Sequence, residues 1–342
     1  MKKAGKIESV SPEFAVPGGE LTIECSGFQL NSERDFACYI GGEKCRIVAA
    51  STDRVLAIVP ERGASEPTLL QLVSGGESGD PVEITVGRKL VGDMHMVGNP
   101  AVDPTDDSII LTRSGSRGQQ LPGTLFRYET GGFLDQMPVE ILNPTGLAFH
   151  PEGELFVTNR ADGEVCRIDS DEDAVSVATG VGIATGIAFD PLGLMYVGDR
   201  SGTIFRIGEL GRLETFAVLE PSVSAYHLAF GPDGRLYVTA PGLASHDSVY
   251  AIEQDGYVDS YFRGFGRPQG LAFDAEGNLF VAACFRGKHG IVRIDADGKN
   301  AETVVAGTGI VGLCFTRKGE MIVATNSAVY SIPAGIYGTL LN

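Results

Sequence analysis

The sequence predicts an all-β protein: an immunoglobulin-like β-sandwich over residues 1–87, then a six-bladed β-propeller over residues 88–342. Three observations carry this. First, one phrase recurs: GLAFHPEGELFV (146–157), GIAFDPLGLMYV (186–197), HLAFGPDGRLYV (227–238), GLAFDAEGNLFV (270–281) and GLCFTRKGEMIV (312–323), in steps of 40, 41, 43 and 42 residues. A fixed period of that length marks a repeat architecture. Second, about seven short apolar runs separated by turn signals fill residues 5–87, the spacing of a sandwich. Third, no helical spacing of apolar residues persists across 90–340.

One repeat shows why a blade forms. GLAFH alternates like a half-buried strand, and Pro151 and Gly153 then turn the chain. LFVTN is a second strand, rich in aromatic and β-branched residues. Asp162-Gly163 is a hairpin signal, EVCRID is a third strand and AVSVATGV a fourth. Four antiparallel strands in about 40 residues make one blade. A degenerate first copy, NPAVDPTDDSIILTR (99–113), brings the count to six. The last copy has three clear strands, so RKLVGDMHMV (88–97) is expected to supply its fourth and close the ring. The alternative is closure by residues 336–341.

Composition limits the function. Net charge is −17 and 43 % of residues are hydrophobic. An acidic chain is a poor partner for nucleic acid or an anionic membrane, and no apolar run is long enough for a membrane span. MKKAGKIESVSPEF lacks the apolar stretch of a secretory signal. The expected address is therefore cytoplasmic, or periplasmic or extracellular if a signal was removed. Six cysteines form no CxxC pair, which disfavours a zinc knuckle. Cys38 and Cys45 flank Gly41-Gly42 and are expected to face each other across a hairpin, with a disulfide there left open.

The run I-x-S-V-S-P, P-G-G-x-L-T-I, S-G-F and Y-I-G-G-x-x-C within 5–87 resembles the IPT/TIG family of immunoglobulin-like domains. That resemblance implies a support or binding module. The repeat G-[LI]-A-F-x-P-x-G-x-L-[FY]-V resembles the NHL-repeat and gluconolactonase (regucalcin)-like propellers across 90–335. Their lactonase branch implies a divalent cation in the central channel, held by Asn, Asp and Glu at the position before each first glycine and at the first blade. Here those positions hold Thr145, Thr185, Tyr226, Gln269 and Val311, with Gly98 or Asn99 at the first blade. None is a carboxylate, whereas a hard cation wants charged oxygens. No cofactor and no metal ligand is therefore expected.

Two other sets stand out. Arg113, Asn159, Arg160, Asp199, Arg200, Arg286 and Asn326 close the second strands on the same rim. Converging arginines there would hold a carboxylate or phosphate; alternatively these residues pair locally and hold the turns. His227, His246, Asp247 and His289 lie in blades four and five, where a histidine beside a carboxylate can act as a base and three such groups could hold a transition metal. The alternative is one wall residue and two solvated loop residues. The favoured function is binding of a small anion or a protein partner. The rival is a hydrolase or lyase acting on a lactone or ester, using those histidines with Arg160 and Arg200 as oxyanion clamps.

Overall fold

A computed structural model describes residues 5–30, 36–61, 68–115, 119, 121–243 and 246–339. Six four-stranded antiparallel blades follow one another around an axis, blades four and five being joined where Phe265 and Gly266 pair with Phe285 and Cys284. Blade two shows the pattern: Pro144–Phe149, Leu155–Asn159, Glu164–Ile168 and Ala174–Thr179 pair in sequence order from the axis outward. The first strands are short and buried because they pack on both neighbouring blades. The fourth strands alternate or turn polar because one face meets water, as in Ala174–Thr179.

The ring closes as the repeat count predicts. Arg88–Gly92 pairs antiparallel with Ala328–Ile332 and is the outer strand of blade six. The C-terminal segment does not add a strand to that blade. It lies against blade five, where the Ala275 amide donates to the Tyr337 carbonyl at 2.8 Å and Asp274 bridges Gly338. Residues 340–341 of the alternative closure lie outside the described residues.

The N-terminal module is a two-sheet sandwich. One sheet is Lys6–Ser11, Glu20–Ser26, Arg54–Ile58 and Arg46–Ala50; the other is built on Phe36–Ile40, Thr68–Ser74 and Val82–Val86. Gly41 and Gly42, both with positive φ, turn the Phe36–Ile40 hairpin, and the Cys45 amide donates to the Cys38 carbonyl at 2.8 Å. The two cysteines face each other as free, buried thiols. The Cys38 thiol donates to Cys45 and is itself held protonated.

The sequence does not foretell how the two parts join. Phe14–Ala15 pairs parallel with Val305–Ala306 of blade five on one side and with Thr85–Val86 on the other. One sheet thus runs without a break from the propeller into the sandwich. The cores interlock as well: Ala306 is buried in the sandwich core, while Phe14 and Val16 are buried among blades five and six. The approach is close, since a Cβ on Gly19 would lie 2.4 Å from the Ala306 carbonyl oxygen. Gly19→Ala is expected to destabilise the chain by about 1–3 kcal/mol, because backbone must shift on both sides of the seam. A urea midpoint equal to that of the parent would show that the seam is looser than this.

Candidate functional site

The hub of the ring is built from glycine. A Cβ on Gly98 would lie 2.5 Å from the Thr145 carbonyl oxygen, one on Gly146 2.2 Å from that of Thr185, and one on Gly186 2.5 Å from that of Tyr226. On the far side, a Cβ on Gly270 would meet Gly312 Cα at 2.5 Å, and one on Gly312 would meet Asn99 Cα at 2.6 Å. Such distances forbid a side chain. The first glycine of every repeat but the one that begins at His227 is therefore there because adjacent inner strands touch backbone to backbone. Asn99 fastens the far side: its Nδ2 donates to the Leu271 carbonyl at 2.9 Å, and its Oδ1 accepts the Leu313 amide at 3.2 Å.

The hub positions read from the sequence are engaged with the scaffold. Thr185 donates to the Gly198 carbonyl at 3.0 Å and accepts the Tyr226 amide at 3.1 Å. Thr145 is buried and donates to the Asn143 carbonyl at 3.4 Å. The Tyr226 hydroxyl donates to the Glu220 carbonyl, and burial pushes its phenol up to about 12. The Gln269 carbonyl accepts from Thr239, and the Val311 carbonyl accepts the Gly270 amide at 3.0 Å. This set does not fit a hard cation. Its hydroxyls serve neighbouring carbonyls, it carries no negative charge, and the strands leave little room.

What remains is a cavity of about 30 Å³ lined by Asn99, Thr145, Thr185, Tyr226 and His227 among others. That is room for one or two waters. His227 takes the glycine's place in blade four and is 4 % exposed, with Nε2 lacking a partner among the described residues. Burial depresses its pKa to about 4, so the ring is neutral near pH 7. His246 and His289 are exposed, and Asp247 is buried with Oδ2 unpartnered. These four residues do not make a metal-holding cluster among the described residues. The one such group is His150, Glu152 and Glu154, on the opposite face. There Glu154 is already paired with Arg167.

The rim separates the arginines into two kinds. Arg113 stacks over Phe126 and donates to the Pro122 and Gly123 carbonyls of its own blade. Arg286 forms a two-residue turn with Gly287, both at positive φ, and lies over Phe285. Arg160 and Arg200, by contrast, sense each other's charge. Burial and the charge of Arg200 both lower the Arg160 pKa. Arg160 donates to the Gly115 carbonyl at 3.1 Å and Arg200 to that of Ser222 at 3.2 Å. Among the described residues neither has a carboxylate within ion-pair distance.

Asn159 and Asp199 hold the turns themselves. Asn159 Oδ1 accepts the Ala161 amide at 3.1 Å, and Asp199 Oδ1 accepts the Ile183 amide at 2.9 Å. Asn326 is exposed in the equivalent turn of blade six, its amide on the Gly309 carbonyl. Sequence reasoning passed over Ile183, Val223 and Leu243, which are exposed on the same rim. Their signal was aliphatic side chains in loops that otherwise carry polar residues.

Residues 6–86 match the IPT/TIG domain family. No curated protein matches the chain in sequence. Solved structures similar in fold include an auxiliary nutrient binding protein from Bacteroides ovatus, 12 % identical with a TM-score of 0.56, covering 97 % of this chain and 98 % of that one. A gluconolactonase from Xanthomonas campestris is 16 % identical with a TM-score of 0.57, covering 72 % of this chain and 88 % of that one. Virginiamycin B lyase from Staphylococcus aureus is 14 % identical with a TM-score of 0.52, covering 87 % of this chain and 99 % of that one. The fold is thus an immunoglobulin-like domain that matches the IPT/TIG family over residues 6–86, followed by a β-propeller similar to those of these structures. No described helix is long and apolar enough to cross a membrane.

The buried His227 makes stability depend on pH. Its folded pKa lies below the ordinary 6.5, so its full contribution is present above about pH 6.5 and is lost as pH falls toward 4. The parent should lose about 2 kcal/mol more than His227→Gln between pH 7.5 and pH 5, measured as urea-unfolding free energy. Equal losses would place the imidazole in contact with solvent.

Proposed function

We propose that the propeller binds a small anion at the channel rim, on Arg160 and Arg200, with the IPT/TIG domain as a fixed support. The observation behind this is the uncompensated pair. The third-strand arginines at the other end of the blades are matched: Arg127 with Asp103, Arg167 with Glu154, Arg206 with Glu214 and Arg293 with Glu302, at 2.7 to 2.9 Å. Two like charges, with burial and then Arg200 lowering the pKa of Arg160, and with no carboxylate within ion-pair distance among the described residues of a chain of net charge −17, form a site to which an anion brings the missing charge. Among the described residues each guanidinium makes one hydrogen bond, to a backbone carbonyl. The nearly filled hub supports a ligand on the rim rather than inside the channel.

Titration calorimetry with inorganic phosphate and a panel of mono- and dicarboxylates tests this. Arg160→Ala and Arg200→Ala should each weaken binding of the anions that bind by about tenfold or more. Arg167→Ala, at the paired end, should leave it unchanged. Equal effects from all three variants would reduce the rim to a general electrostatic contribution.

A second reading has one observation of its own. The unpartnered Nε2 of neutral His227 is in the chemical state a general base needs, and Arg160 and Arg200 would then clamp an oxyanion. It predicts turnover of lactones or esters that His227→Gln removes. The size of the cavity favours binding over this.

A further inference from the structure

We propose that the anion taken by Arg160 and Arg200 is a carboxylate carried on an apolar body, and that Ile183, Val223 and Leu243 receive that body. This rests on the anion-binding reading above and names its ligand class.

Three loops are stitched side by side around Arg200. Its amide donates to the Ile183 carbonyl at 3.1 Å, and its Nε donates to the Ser222 carbonyl at 3.2 Å. Ser222 Oγ and the Val223 amide both donate to the Pro241 carbonyl at 2.9 Å, two residues before Leu243. The Arg200 turn therefore lies between the loop that carries Ile183 and the loops that carry Val223 and Leu243. These side chains are 43 %, 40 % and 95 % exposed. A single exposed aliphatic residue needs no explanation. Three on consecutive loops around an unmatched cation pair form an amphipathic surface.

Charge fixes the class of the head group. Asp162 and Asp199 sit in the same turns as Arg160 and Arg200 and are held there by Asn159 and by the Ile183 and Ser201 amides. The excess positive charge on this rim is therefore small. It suits a monoanion better than a dianionic phosphate. A carboxylate also matches the planar fork of a guanidinium.

The test uses the full chain and titrates acetate, butyrate, hexanoate and octanoate, with inorganic phosphate and octanol as controls. Affinity should rise by about fourfold for each methylene that becomes buried. Ile183→Ser and Leu243→Ser should flatten that rise and leave acetate binding unchanged; both side chains are exposed, and unchanged thermal unfolding would verify that the fold is intact. Arg200→Ala should weaken every member of the series. Equal affinity along the series, or phosphate binding more tightly than octanoate, overturns the apolar carboxylate while leaving the anion site standing. Failure of every anion to bind, or octanol binding as tightly as octanoate, overturns the anion site as well.

Discussion

The structure depends on how closely six inner strands can approach a common axis. At Gly98, Gly146, Gly186, Gly270 and Gly312 the neighbouring backbone occupies the space a Cβ would need. The glycines permit that contact, and the contact narrows the cavity at the hub. The same constraint accounts for the chemistry of the pre-glycine positions. A hydroxyl there finds a nearby carbonyl before it finds a ligand, as Thr145 does with Asn143 and Thr185 with Gly198 of its own blade. The axis is thus structural, and the proposed recognition is placed on the loops that surround it.

Charge is distributed unequally between the two ends of the ring. At the turns joining third and fourth strands, arginine after arginine meets a carboxylate. Partly exposed pairs like these add little stability individually, but they neutralise the arginines that make them. At the other end Arg160 and Arg200 are held by backbone carbonyls, which fix position without neutralising charge. A hydrogen bond to a carbonyl orients a guanidinium and leaves its electrostatic demand unmet. That difference, rather than the number of arginines, distinguishes the rim.

Much of the fold was legible because its determinants are local and repeated. The phrase from Gly146 to Val157 contains two strands and their turn, so its recurrence gave the blades, and the missing fourth strand of the last blade pointed to Arg88–Gly92. Gly41-Gly42 likewise set Cys38 opposite Cys45. Two things were not legible. The Phe14–Ala15 strand is too short to show any period, and its pairing with Val305–Ala306 joins positions about 290 apart in sequence. The fates of the rim arginines also diverge for reasons outside the motif. Arg286 is committed by a turn with positive φ and by the Phe285 ring, Arg113 by carbonyls of its own blade, and Arg160 and Arg200 sense each other's charge.

The parallel strand at residues 14–15 makes the front domain part of a blade rather than an attachment to one. With hydrogen bonds on both sides and side chains sunk in two cores, it leaves no hinge at Gly87, whose amide is itself bonded to the Ala15 carbonyl at 2.7 Å. Whatever grips the sandwich therefore sets the compass bearing of the propeller's mouth: anchoring one end of this molecule aims the other.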